Sequence, residues 1–436
     1  MLISLINRIS FDFQKIYFYS LCILVASIPL GFRLSLYALG FSLLLGLANV
    51  IFVEKRLVFN NKISNSLAFL WVIYLLSLLY TSNMNYGIKS TVQLIQLLLI
   101  PFLLNFRIPD KNISRLKDIF IVSVIFSLLF FIGRAFINSL VFSSDGLIFN
   151  FYNENVPYGS YFYYTELVKP HHPSYYAMYL LLAIVLVFPQ KWTELTIQRK
   201  VFSIVSITLL ILGVFLCSSR AGILSAIIII FILLFKLIRK SSSYYLSIII
   251  LAFTAFALYY LITNPRINTI YRYINSFYQG ETEQQTYLES TAMMRLKIWP
   301  VLIKDFEGYE IIIGKGIGDT KQDMMECYKR EGIMFAFDEK LNAHNQYIQT
   351  LYAVGLLGLA VLLYILSYAF WLSFKYRNLV LFLFLVIISV NFMFESVLER
   401  GGGVMFFIFF IVLFTEKHIE RRSSSFKSLS KTHILK

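Results

Sequence analysis

Charge is scarce in this chain. Only 14% of its 436 residues are Asp, Glu, Lys or Arg, and 58% are hydrophobic. A soluble domain carries about 25% charged residues because its surface faces water. That shortfall excludes an ordinary soluble domain and leaves lipid as the solvent. Cysteine is rare as well. Cys22 and Cys217 lie in or beside apolar stretches and Cys327 stands alone, which excludes a disulfide framework and a cysteine metal site. Strict apolar–polar alternation, expected of a transmembrane β-barrel strand, is missing from runs such as AIIIIFILLF at 226–235. A small-residue cleavage site is missing after the first apolar stretch, which therefore reads as a retained helix and not as a signal peptide. The expected fold class is all-α, a polytopic integral membrane protein.

What is present is a series of apolar windows long enough to cross a bilayer, about 20 residues each. About twelve are expected, near 16–32, 34–53, 66–80, 90–106, 119–140, 174–189, 202–218, 222–238, 244–262, 346–370, 378–396 and 402–416. The organisation read from them has helices 1–9 within 1–262 and an extracytoplasmic loop with short helices over 263–345. Helices 10–12 follow within 346–416, and a polar, basic tail spans 417–436.

The formal net charge of +15 would raise nucleic acid as a partner in a soluble protein. Here the basic residues cluster at helix ends, which gives orientation instead. Lys55, Arg56 and Lys62, then Arg107, Lys111, Arg115 and Lys117, then Lys191, Arg199 and Lys200, then Lys236, Arg239 and Lys240, then Lys375 and Arg377 mark every second connection. Those connections and both termini are expected in the cytoplasm. The alternate connections carry little charge, and two longer non-spanning segments, 141–173 and 263–345, fall among them.

Five places on that sparsely charged side hold residues suited to chemistry. In SSRAG (218–222), Arg220 stands where a helix begins. Free N–H groups, the helix dipole and a guanidinium fork suit a diphosphate there. The plainer alternative is a snorkelling Arg with Ser218 or Ser219 as N-cap. In AHNQYIQTLYAVGLLG (343–358), a neutral His344 can accept a hydroxyl proton, with Asn345 or Gln346 orienting a substrate. Arg charge and a helix N-terminus nearby would favour that neutral form, whereas a histidine in a loop at the membrane interface can also be merely polar.

In AMMRLKIWP (292–300), Arg295 and Lys297 add cations, and Trp299 suits an interfacial anchor or a sugar-stacking platform. The Gly314, Gly316, Gly318 spacing imitates a dinucleotide fingerprint, but no βαβ unit surrounds it, so tight turns are the expected use. In FESVLERGGG (394–403), Glu395 or Glu399 is expected to face Arg220, Arg295 or Arg400, either as a structural counter-ion or as a secondary base. In HHPSYYAMY (171–179), His171 and His172 lack companion metal ligands and read as an ordinary helix start.

Taken together, SSRAG, Arg295 and Trp299 before GKGIGD, HNQYIQTLYAVGLLG and FESVLERGGG resemble, in order and placement, the O-antigen ligases and the related O-antigen and exopolysaccharide polymerases. The resemblance covers roughly the second half of the chain; the first half matches only in general character. It implies a metal-independent, cofactor-free, inverting membrane glycosyltransferase of lipopolysaccharide or other polysaccharide biosynthesis. The donor would be a glycan on a polyprenyl carrier such as undecaprenyl diphosphate, and the acceptor a lipid A core sugar or another glycan. The enzyme would sit in the bacterial inner membrane with its active site on the periplasmic face. Arginines matching Arg220 and Arg295 would bind the diphosphate, and a histidine matching His344 would activate the acceptor. Ser219, Asn345, Trp299, Glu395, Glu399 and Arg400 would support them.

The rival of another class is a lipid-linked oligosaccharide transporter, which should place ionisable residues at the bilayer midplane on interrupted helices. The helix centres here are almost purely apolar, which favours chemistry at one edge.

Overall fold

The computed structural model describes residues 2–55, 61–104, 108–143, 146–156, 159–188, 195–240 and 291–416. Helices dominate. In chain order they are α1 (Leu2–Ser27), α2 (Phe32–Ala48, continued by a π-helical turn, Asn49–Glu54), α3 (Lys62–Leu76), α4 (Met84–Gln93), α5 (Gln96–Leu103), α6 (Asp110–Asn138), α7 (Tyr164–Val168), α8 (Pro173–Val187), α9 (Ile197–Cys217) and α10 (Arg220–Lys240). After them come α11 (Thr291–Lys304), α12 (Glu310–Ile313), α13 (Thr320–Arg330), α14 (Met334–Asp338), α15 (Gln346–Lys375) and α16 (Leu379–Phe394), then α17 (Gly401–Glu416).

Among the described residues, six stretches are long and apolar enough to cross a membrane: Phe32–Glu54, Lys62–Leu79, Met84–Leu103, Asp110–Asn138, Ile197–Cys217 and Gln346–Lys375. Phe13–Ser27, Pro173–Val187, Leu379–Phe394 and Gly401–Glu416 are apolar but shorter. The expected twelve spans are therefore not reached among the described residues, and the ninth, 244–262, lies outside them, as do 263–290 and the tail 417–436. A second difference is a small antiparallel hairpin, β1 (Leu140–Ser143) paired with β2 (Gly146–Phe149). Four residues per strand are too few to raise a period-two signal in the sequence.

The core forms around α8. Its side chains are apolar all round, so it must be buried all round, and Tyr176 to Leu182 are 0–2% exposed. The helix packs against α6, α9, α10 and α16. By contrast α2 and α6 keep lipid-type residues outward, such as Leu44 and Phe126, because in a bilayer the outer face is also apolar. Gly213 and Gly222 let α9 and α10 approach this centre. A Cβ on Gly213 would lie 2.8 Å from Leu128, and one on Gly222 would lie 2.7 Å from the Cβ of Ala177.

One long helix is broken. Val354 and Gly355 of α15 leave helical geometry, with Gly355 at φ 66°. The carbonyls freed there are answered by backbone N–H groups of the segment after α12: Lys315 N–H donates to Tyr352 O at 2.9 Å and Gly316 N–H to Ala353 O at 3.0 Å. A side chain on Gly355 would collide with the Ile312 carbonyl. The glycines of GKGIGD serve this docking. Gly314 and Gly316 have φ of 82° and 95°, and Cβ atoms on Gly314 and Gly318 would strike the Ala353–Val354 backbone and the Thr81–Asn83 segment.

Helices α11 to α14 form a cap with its own small core, including Ile298, Leu302, Tyr328 and Ala336. The Asp319 carboxylate accepts from the N–H groups of Ser82 and Asn83 at 2.6 and 2.7 Å, tying the cap to the turn between α3 and α4. The turn after α1 is tied in as well, since His171 Nε2 lies 3.0 Å from the Pro29 carbonyl. At the opposite end of the bundle, basic side chains lie over aromatic rings: Lys375 over Trp371 at 4.4 Å, Lys62 over Tyr368 at 5.6 Å and Lys117 over Phe414 at 5.6 Å.

Candidate active site

Glu395 is the hub of the capped end. Helix α16 stops at Phe394, and Glu395 turns extended with φ −143° and ψ 142°, which directs its carboxylate beneath the cap, where the side chain is only 12% exposed. A buried carboxylate needs partners, and three are present. Arg295 Nη2 from α11 lies 3.5 Å from Oε1. His344 Nδ1 lies 3.5 Å from Oε2. The Ser174 hydroxyl donates to Oε1 at 3.0 Å. Burial by itself would raise the Glu395 carboxyl. The His344 contact, the nearby His172 and His344 rings and the Arg295 guanidinium outweigh it and hold the group down at about 2.

His344 is held in an unusual backbone conformation, φ 45°, a region that non-glycine residues rarely adopt. Its neighbours fix it from both sides. The Trp299 indole N–H donates to Ala343 O at 2.9 Å, and Ala343 N–H donates to Gln349 Oε1 at 3.2 Å. On the other side Asn345 caps α15, its Oδ1 accepting from Tyr347 and Ile348 N–H at 2.9 and 3.2 Å.

These bonds show what the polar neighbours of His344 do within the fold. The Asn345 oxygen is engaged in capping, and Gln346 bridges Leu398 N–H at 2.7 Å and Thr350 Oγ1 at 2.9 Å, so both brace the fold. Trp299 directs its polar edge at the backbone beside His344 and acts as a strut. A carboxylate, and not arginine charge alone, faces the imidazole.

The SSRAG segment reaches the same place through hydroxyls. Ser218 ends α9 in the left-handed region at φ 46°, and Ser219 caps α10, its Oγ accepting from Gly222 N–H at 3.2 Å. The same hydroxyl donates to Ser174 Oγ at 3.2 Å, which in turn reaches Glu395. Arg220 is the first residue of α10, half-buried, one residue from this relay.

Ser174 and His172 were passed over in the sequence as a plain helix start. His172 is the N-cap of α8, with Nδ1 accepting from Ser174 N–H at 3.3 Å. The available signal was a polar His-Pro-Ser start to a helix whose N-terminus shares an end with Arg220 and His344. His171 is different: burial pushes its imidazole down to about 4, partly offset by the Pro29 carbonyl, so it is a neutral structural donor.

Glu399 and Arg400 do not join this cluster directly. Burial raises the Glu399 carboxyl, opposed by a hydrogen bond to Gln349 and by the charges of Arg400 and Lys321. Arg400 is exposed. Among the described residues, no group of three or more His, Cys, Asp or Glu side chains is arranged to hold a metal ion.

The arrangement offers an imidazole 3.5 Å from a carboxylate, beside a buried guanidinium and a helix N-terminus with its own arginine. Residues 204–363, from within α9 to within α15, match the family model described as O-antigen ligase. No curated protein matches the chain.

Proposed function

We propose that this membrane-type chain, whose residues 204–363 match the family model described as O-antigen ligase, transfers a glycan from a polyprenyl diphosphate carrier to an acceptor hydroxyl. The observation that carries this reading is the contact of His344 and Arg295 with one buried carboxylate, Glu395. His344 Nδ1 faces Glu395 Oε2 at 3.5 Å, so Nε2 is the nitrogen assigned to the acceptor hydroxyl. As the acceptor oxygen attacks the anomeric carbon, its proton passes to Nε2, and the bond to the carrier diphosphate breaks with its electron pair leaving on the phosphate oxygen. Glu395 then stabilises the imidazolium. Arg220 and Arg295, with the α10 N-terminus, take up the charge on the departing diphosphate. A single displacement of this kind inverts the anomeric centre.

The functional end is the periplasmic one in this proposal, because the basic connections at the other end are retained in the cytoplasm. The break in α15 is the feature of a transporter that the sequence concealed. Its freed carbonyls are met by Lys315 and Gly316 N–H groups, which leaves the break as a docking joint for the cap and not an ion site.

Purified protein with a polyprenyl diphosphate-linked glycan and acceptor tests the assignment. His344→Ala and Arg220→Ala are each expected to lose transfer while remaining folded, and full transfer by both would refute it. The surface glycan of a deletion strain separates the two acceptors. Absence of all long glycan from an intact core indicates a ligase, and a single repeat unit on the core indicates a polymerase.

A further inference from the structure

The apolar surface of the bundle does not stop where α6 stops. Along that helix the exposed side chains Val122, Phe126, Phe130 and Ile137 recur at helical intervals, opposite the faces packed against α1 and α8. On a helix long and apolar enough to cross a membrane, such a stripe is the face that meets acyl chains. Phe136, also exposed on the last turn, stacks on Phe149 at 5.2 Å. That contact joins the end of β2 to the stripe.

Both faces of the hairpin carry apolar side chains. Cross-strand partners share a face, and successive residues alternate between faces. Leu140, Phe142, Leu147 and Phe149 therefore lie on one face, and Val141 with Ile148 on the other. Phe142 is 89% exposed, and Val141, Leu147, Ile148 and Phe149 are 43–56% exposed. A two-stranded sheet is marginal in water and needs something apolar to pack on. A glycan or a second copy of the chain would cover one face of so thin a sheet, whereas a lipid leaflet covers both.

Nearby polar groups set the depth. Arg134, in the last turns of α6, donates to the carbonyls of Glu166, Leu167 and Lys169 at 3.1, 2.8 and 2.6 Å, and Lys169 pairs with Glu166 at 2.8 Å while its side chain stays exposed. Charges so placed belong at the headgroups. From Arg134 to the end of α6 at Asn138 is about 6 Å along the axis, and a headgroup layer is about 5–8 Å thick, so the hairpin begins within that layer. The outer edges of its strands hold N–H and C=O groups that the ladder does not pair, which excludes the hydrocarbon interior. The leaflet is the one on the Glu395 side, because α7 and α8 follow and Ser174 of α8 donates to that carboxylate.

We infer that the β1–β2 hairpin lies in the boundary between headgroups and acyl chains of this leaflet, with Phe142 and Leu147 from one face and Ile148 from the other in contact with lipid.

The full chain in phosphatidylethanolamine–phosphatidylglycerol vesicles tests the inference. Phe142→Cys and Ile148→Cys, one on each face, are made singly after Cys22, Cys217 and Cys327 are replaced by alanine. Each carries a nitroxide whose collisions with oxygen and with a water-soluble nickel chelate are measured. Phe126→Cys on the stripe and Glu331→Cys on the cap, both exposed, give the acyl-chain and aqueous references. Both hairpin labels are expected to meet oxygen more than nickel at a depth of about 5–10 Å, shallower than the Phe126 label. Nickel collisions at either position equal to those at Glu331 would put that face in water and overturn the inference. Protection of either label from both reagents would mean that protein covers it, a second copy or another part of the chain, and would overturn it as well. Phe142→Trp in the otherwise unaltered chain is a second probe, independent of the cysteine replacements. Brominated acyl chains should quench its added emission and aqueous iodide should not, and the reverse would overturn the inference. Neither readout depends on glycan transfer.

Discussion

The two ends of the bundle treat charge in opposite ways. At the capped end Glu395 and Arg295 are nearly buried, 12% and 11% exposed, and each exists in that state because of the other and of Ser174 and His344. At the far end Lys62, Lys117 and Lys375 lie over aromatic rings, where each cation keeps water on one side. Burying a charge costs several kcal/mol per ion even after relaxation, and the pair returns that only with good geometry. An exposed lysine has no such cost. A fold needing only orientation in the membrane has use for the second kind of charge, so the first kind is where chemistry is to be sought.

The contrast is tested most severely by removing His344 or one partner of the buried pair. His344→Ala should lower glycan transfer by about 10²–10⁴-fold, the usual contribution of a positioned base, with little change in melting temperature. Arg295→Ala strands Glu395 and should destabilise by about 3–5 kcal/mol, read as a lower midpoint in detergent unfolding. Replacing both, Arg295→Met with Glu395→Leu, should restore most of that stability and none of the transfer. If the double variant stayed as unstable as the single one, the buried pair would be structural and the difference between the two ends would lose its meaning.

Acid should act on the same pair. Glu395 is held at about 2 in the folded protein against an ordinary value of 4.5. A depressed carboxyl adds stability above its unfolded value and loses it as pH falls through the folded one. Melting temperature should therefore drop between about pH 4.5 and pH 2, and Glu395→Gln should flatten that dependence. A Glu395→Gln variant as acid-sensitive as the unaltered chain would transfer the effect to another group. Asp323 is not a substitute, since burial and the nearby Asp319 raise it to about 6, and a raised carboxyl loses stability as pH rises.

How much of this was legible depends on range. Composition and apolar runs are local, so the helical membrane character, the starts of α8 and α15 and the end of α9 could be read directly. The N-cap of α10 was also local, read as Ser218 or Ser219 and found at Ser219, three residues before the glycine whose N–H it accepts. The pairing of Glu395 with Arg295, a hundred residues apart, was one of six pairings the sequence left open. Ser174 was invisible because its role is to receive Ser219 and to bind Glu395, both distant in the chain. The break at Gly355 was hidden for a related reason: glycine in an apolar helix is common in membranes, and only the docking of Ile312 to Gly316 shows why it is required.

That joint supplies the next effect in size. Gly355→Ala places a Cβ at φ 66° against the Ile312 carbonyl, so α15 must straighten or the cap must lift. A loss of about 1–3 kcal/mol is expected. Proteolysis within 305–345 should quicken while the rest of the bundle resists.

The smallest expected effect lies at the far end, and it sets the lower limit of the comparison. Lys375 lies 4.4 Å from the Trp371 ring centre and 5.8 Å from that of Tyr376, an exposed cation–π contact worth about 0.5–1 kcal/mol. Lys375→Met keeps the aliphatic stem over the ring and removes the charge, so its melting temperature should differ little from that of the unaltered chain. Because Arg295 is buried against a carboxylate and Lys375 is not, the Lys375→Met change should be no more than about a third of the Arg295→Ala loss, from the two ranges above. A Lys375 variant as unstable as the Arg295 variant would mean that charge at the far end is also held by the fold, and exposure would no longer separate orientation from chemistry.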